Sequence, residues 1–169
     1  MVGEQDFKLW QKAISFAARQ HSGQLRKDER TPYFAHPVRV AMTVRDIFEV
    51  SDPQVLAAAI LHDVIEDTTT DYDDLLQEFG HNVADLVVSL TKDSRLPEEE
   101  REERYDAGLT QAPWAARLIK LADVFDNYSD ARNDSERAKV AAKAKRAIQC
   151  AGDDPRLQKA VGVVHELIS

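Results

Sequence analysis

Only one cysteine, Cys150, stands in the chain, so no internal disulfide can form. Its setting, AIQCAGDD, reads as a small buried side chain on a helix rather than a nucleophile. No apolar run approaches the ~20 residues that cross a bilayer, so neither a transmembrane helix nor a membrane partner is expected. The opening MVGEQDFKLW lacks the basic start and apolar stretch of an export signal, which makes the cytoplasm the expected compartment. Lys and Arg number 22 against 30 Asp and Glu, a net charge of −8. That balance argues against general nucleic-acid binding, which rests on a basic footprint. It still permits a small anionic substrate, because a bound cation and a few placed Arg or Lys residues reverse the field locally. Sustained strand-like alternation, internal repeats and Gly/Ser linkers are also missing.

What is present is helical periodicity. The 169 residues suit one domain, and a hydrophobic fraction of 43% is ordinary for a globular core. Phe7, Trp10, Ile14 and Ala17 step along one face of a first helix, with Gly23 as its stop and Trp10 and Trp114 read as core. Residues 25–35 read as a loop. His36-Pro37 and Asp52-Pro53 each open a helix, with Pro where its missing N–H is harmless. The second of these is expected to run to about Asp67. Gly80 separates a helix over 72–79 from one carrying Val83, Leu86, Val87 and Leu90. Residues 93–111, with LPEEEREERYDAG, predict a solvated helix or a mobile lid. Pro113 starts a long apolar helix through Leu118, Leu121 and Phe125, and helices over 135–150 and 155–168 follow. The fold class is a single all-α helical bundle spanning 1–169.

Chemistry concentrates in PQVLAAAILHDVIEDT. Its first half is apolar on nearly every side, which marks a buried helix. Its second half carries His62, Asp63, Glu66 and Asp67, with His62/Glu66 and Asp63/Asp67 as i,i+4 pairs. Burying three carboxylates with an imidazole is costly unless a cation compensates them. His36 sits where a loop enters a helix, and Asp123 is an isolated acid in the apolar RLIKLADVFDN. Two imidazoles and two carboxylates form a mixed N/O set suited to a first-row divalent ion. His21, His81 and His165 read as helix-end or surface residues. Lys120 either neutralises the site or snorkels outward.

The order His, His-Asp, Asp resembles the HD superfamily of phosphohydrolases. HSGQLRKDERTPYFAHPVRVA, AAILHDVIEDT, FGHNVADLVVSLTK and LIKLADVFDN narrow the resemblance to the hydrolase domain of the RelA/SpoT family, in its stand-alone small alarmone hydrolase form, over residues 7–127. The resemblance implies an HD-type bundle that removes pyrophosphate from the 3′ position of (p)ppGpp, using Mn²⁺. It assigns His36, His62, Asp63 and Asp123 as metal ligands and Glu66 and Asp67 as the catalytic acids acting on water. Arg26, Lys27 and Asn127 become substrate contacts, and Tyr33 and Phe34 line the base pocket or pack the loop.

Past Asn127 the sequence departs from the family. Ser129 stands where an Arg is common, with Arg132 close by, and Asp126 replaces a His or an uncharged residue. No aromatic substrate motif marks the last helices. An adenosine alarmone, another nucleotide, or nucleotide binding without turnover therefore stay open.

Overall fold

The computed structural model describes residues 3–169; Met1 and Val2, part of the stretch read for an export signal, lie outside the described residues. The chain runs α1 (Glu4–Gln20), α2 (Ala35–Met42), a π-helical continuation over Thr43–Ile47, α3 (Pro53–Leu61), α4 (Val64–Asp67), α5 (Tyr72–Phe79), α6 (His81–Leu90), α7 (Glu98–Gln111), α8 (Trp114–Ser129), α9 (Asp134–Ala151) and α10 (Gln158–Leu167). Among the described residues there is no strand, only an isolated bridge between Leu25 and Pro32. The bundle is all-α, as the periodicity predicts.

Local chemistry sets the helix starts. Asp52 accepts from the Gln54 and Val55 amides ahead of Pro53, and Asn133 accepts from the Glu136 amide. Asp71 and Asp74 cap one another across the first turn of α5. Gly80, at φ +78°, turns the chain between α5 and α6 in a conformation that side chains with a Cβ disfavour.

Helix α3 is the centre of the bundle. Residues 55–61 are all buried, and α1, α2, α6 and α8 pack around them. The run Ala57-Ala58-Ala59 lets those neighbours approach closely. On α1 the buried side chains are Ala13, Phe16 and Ala17, while Phe7 and Ile14 are exposed at 54% and 40%, so the expected core face is rotated. Trp10 is half-buried and donates to the Pro53 carbonyl at 3.1 Å.

Two expectations need correction. The third helix does not continue to Asp67: it ends at Leu61, and the chain restarts at Val64 after a turn at His62–Asp63. The Ala59 carbonyl, which a continuing helix would offer to the Asp63 amide, accepts from the His62 ring at 2.8 Å. The acidic 93–111 segment is neither detached nor fully solvated. Helix α7 buries Tyr105 and Leu109 against the bundle, and its Glu102 and Asp106 pair with Arg146 of α9.

Candidate metal centre

Three chain segments converge at the C-terminal end of α3. The loop between α1 and α2 is a tight turn: Asp28 accepts from the Arg30 and Thr31 amides and the Thr31 hydroxyl, and these bonds hold its carboxyl down at about 2. The turn places Arg26 and Tyr33 and delivers His36 onto the first turn of α2. The break after Leu61 swings His62 and Asp63 inward. Helix α8 contributes Asp123, with Lys120, Asp126 and Asn127 one turn away on either side.

His36 Nε2 lies 3.5 Å from Asp63 Oδ2 and 3.2 Å from Asp123 Oδ1, and His62 Nε2 lies 3.1 and 3.8 Å from the same two atoms. Donor atoms of His36, His62 and Asp123 all fall within 4.8 Å of one another. Ligands at ordinary first-row bond lengths sit about 3.0–3.4 Å apart in adjacent positions, so these spacings suit a single ion. Protonation gives the stronger test. The Ala59 carbonyl can only accept, so His62 carries its proton on Nδ1 and turns a lone pair outward from Nε2. That nitrogen is buried without a hydrogen-bond partner and faces carboxylate oxygens. Lone pairs opposed at this distance need a cation or extra protons between them.

Without an ion, protons take that place. Burial pulls the His36 imidazole down, but Asp123 and Asp126 outweigh it and raise it above its usual value. His62 is likewise lowered by burial and raised further by Asp63 and Asp123. Asp63 is driven down by His62 against the cost of burial, and Asp123 by Lys120 and the histidines. Lys120 settles its two readings: its Nζ is 2.7 Å from Asp123 Oδ2, so it faces the site.

Glu66 and Asp67 ride on the short α4 beyond the break. The i,i+4 pairing holds for Asp63 and Asp67, with the Asp67 amide donating to the Asp63 carbonyl at 2.9 Å, whereas His62 lies in the turn between the helices, outside the one that carries Glu66. Burial raises both carboxyls above their usual values, and the Asp63 charge adds to the effect. Glu66 is anchored by the Lys92 amide at 3.0 Å.

The remaining predicted residues also gather here. Asn127 donates to Asp123 Oδ1 at 2.5 Å and accepts from Arg26 at 2.9 Å, and Arg26 also pairs with Asp130. Arg26 lies 5.5 Å from the Tyr33 ring centre. A cavity of about 290 Å³ is lined by Arg26, Lys27, Tyr33, Lys120, Asp123 and Asn127. Through Lys27, Val140 and Lys143, which border both spaces, it continues into a cleft of about 830 Å³. Lys92, Arg101, Lys139 and Arg146 line that cleft with Glu66 and Glu102. An acidic chain has thus collected cations at one mouth, which focuses an anion-attracting field there. Arg132 does not substitute at the site: it binds Glu136 and the Lys27 carbonyl and braces the loop.

Three contributors escaped the sequence reading, and a fourth, Tyr33, was read only as a base-pocket or loop residue. Tyr33 donates its hydroxyl to Asp63 at 2.7 Å, so it supports the site rather than merely packing the loop. Lys143 comes from a helix without a recognisable motif. Asp126 is bonded to the Nδ1 of His36, and Arg39 to Asp126. The signal for the last two was available: Asp126 is three residues after Asp123, and Arg39 three after His36, on the same helix faces.

An all-α bundle with paired histidines and aspartates at the end of its central helix defines the HD class, and the HD domain profile matches residues 13–150. The chain belongs to the HD domain family, whose hydrolases hold a divalent metal. Within it, the chain is 41% identical over 118 residues to the guanosine-3′,5′-bis(diphosphate) 3′-pyrophosphohydrolase MESH1 of Danio rerio, covering 69% of this chain and 66% of that protein. It is 39% identical over 126 residues to MESH1 of Xenopus tropicalis, covering 74% and 70%. These alignments span about two thirds of the relatives' length. A solved structure of a metazoan ortholog of SpoT, one that hydrolyzes ppGpp and plays a role in starvation responses, matches with TM-score 0.81 and 29% identity over 94% of each chain.

Proposed function

We propose that this HD protein hydrolyses the 3′-pyrophosphate of (p)ppGpp, returning GDP or GTP and pyrophosphate, with a divalent ion of the Mn²⁺ type. The observation that carries this reading is the unpartnered His62 Nε2 facing Asp63 and Asp123, the latter lining a cavity that Arg26, Lys27 and Lys120 also line. His36, His62, Asp63 and Asp123 are the residues that hold the ion. When bound there, it lowers the pKa of water and screens phosphorus from its own oxygens.

The chain's own groups do the rest. Glu66 and Asp67, both raised by burial, are better bases than exposed carboxylates and accept the proton of the attacking water. Asn127 offers the nucleotide neutral hydrogen bonds beside Asp123, and Arg26 offers a planar face over Tyr33. Lys27 and the α9 cations receive phosphate oxygens. The cleft takes a small, highly charged nucleotide, and the net charge of −8 argues against nucleic acid as the partner. Residues 13–150 and the flanking helices act as one cytoplasmic HD unit; among the described residues, no helix is long and apolar enough to cross a membrane.

The test is product analysis. Mn²⁺-loaded protein is incubated with ppGpp, pppGpp, their adenosine analogues and simple mononucleotides. Release of pyrophosphate from the guanosine compounds is expected. Orthophosphate in its place, or binding of ppGpp without turnover under any divalent ion, overturns the assignment.

A further inference from the structure

Asp126 holds a place that neither the ligand set nor the nucleotide contacts explain. It is 5% exposed, on the buried face of α8 that also carries Asp123. Its Oδ2 lies 2.6 Å from His36 Nδ1. Arg39 grips the same carboxylate twice, Nε to Oδ1 at 2.6 Å and Nη2 to Oδ2 at 3.0 Å. Burial opposes its charge, but the bonds from His36 and Arg39 prevail and keep Asp126 ionised. An ionised carboxylate can only accept, so His36 carries its proton on Nδ1 and presents a bare Nε2 toward Asp63 and Asp123. His62 is set the same way by the Ala59 carbonyl. The two imidazoles are therefore oriented by different means: one by backbone that no substitution removes, the other by a side-chain pair.

Resting on the metal-centre reading above, we propose that Asp126, clamped by Arg39, is a positioning residue that fixes the tautomer and aim of His36, and that the pair sets the affinity for the ion. The geometry makes a specific demand. Oδ2 accepts from both His36 Nδ1 and Arg39 Nη2, and Oδ1 from Arg39 Nε. An amide has only one oxygen, so Asp126→Asn must lose at least one of these three bonds and set its own N–H groups against a donor.

The experiment titrates metal-free protein with Mn²⁺ calorimetrically for wild type, Asp126→Asn, Arg39→Gln, Arg39→Lys and the Arg39→Gln/Asp126→Asn double variant. Far-UV circular dichroism checks helicity, and ¹⁵N-histidine NMR of the metal-free protein, at a pH high enough for the ring to be neutral, reads the His36 tautomer. Asp126→Asn is expected to raise the Kd for Mn²⁺ about 10–100-fold and to shift the His36 nitrogens away from the Nδ1–H pattern. Arg39→Gln weakens binding within the same ~10–100-fold range, Arg39→Lys recovers part of it, and the double variant falls short of the product of the singles. A pair that merely staples α2 to α8 would lower the melting temperature and leave both Kd and tautomer alone. Should Asp126→Asn fail to fold, the half-exposed Arg39 carries the test alone. Folded variants binding within about twofold of wild type overturn the inference, while a wild type that takes up no Mn²⁺, Fe²⁺ or Zn²⁺ overturns the metal-centre reading itself.

Discussion

The floor of the site and its walls are built on opposite principles. The floor, where α3 ends and α8 passes, sets a few polar atoms in apolar surroundings, each with a fixed partner: His62 on a carbonyl, His36 on Asp126, Asp63 on Tyr33. The walls, from α7 and α9, are long charged side chains in partly buried networks that open to solvent at Arg146, such as Lys92–Glu102–Arg146. The floor is preorganised because moving any of its atoms strands a buried charge. The walls are more adjustable at their rim, where Arg146 reaches solvent and exposed ion pairs contribute only about 0–1 kcal/mol each. Geometry belongs to the floor, and the capture of a charged substrate to the walls.

Substitutions should scale with that division. The largest effect is expected from Asp63→Ala, which removes a proposed ligand and leaves His62 and Tyr33 facing a void. Metal binding and turnover should both be lost, beyond the ~10–100-fold that outer partners cost, as read by metal titration and pyrophosphate release. Glu66→Gln comes next. It should lower kcat about 10²–10⁴-fold while the protein still binds Mn²⁺, and an equal loss of metal would move Glu66 into the ligand set.

A third prediction concerns the floor without its ion. His36 and His62 both sit above the ordinary histidine value of 6.5 in the folded protein. Their protonated rings therefore stabilise the fold fully below that value, and the contribution disappears as pH rises through their folded pKa values. Chelated protein should show a melting temperature that falls as pH rises from 6.5, and added Mn²⁺ should flatten the trend. A melting temperature independent of pH there, with and without metal, would remove the electrostatic picture of the floor.

The smallest effect is expected at the walls. Burial and the nearby Lys92 and Lys120 lower the pKa of Lys143, yet its side chain reaches solvent. Lys143→Ala should raise KM about 2–5-fold with kcat nearly intact, and the effect should fade in high salt. A collapse of kcat would instead make α9 part of the preorganised floor.

Much of the floor was legible because its residues break local rules. Histidine and aspartate at the end of a run that is otherwise apolar cost free energy wherever they lie, so PQVLAAAILHDVIEDT points to compensation by a cation. Asp123 stands out on α8 for the same reason. The end of α3 was not legible, since the stretch to Asp67 has no Gly or Pro. The helix stops there because the His62 ring takes a carbonyl, a bond that acquires its value only once the site exists. The docking of α7 escaped notice as well. Its sequence is charged nearly throughout, and only Tyr105, Leu109 and the pairs to Arg146 tie it down.

By itself, then, the sequence determined an all-α chain, its helix starts and four side chains that meet as a candidate mixed nitrogen and oxygen site. Those follow from periodicity, from local hydrogen bonding and from the cost of burying polar groups, which act over a few residues. Tertiary structure alone decided which nitrogen each imidazole presents, how Arg39 and Asp126 reach His36, and where the scattered lysines gather. These depend on partners brought together from distant points of the chain, such as Asp126 lying 90 positions from His36. A pattern confined to one helix records what that helix must bury, and only the packed fold supplies what faces it.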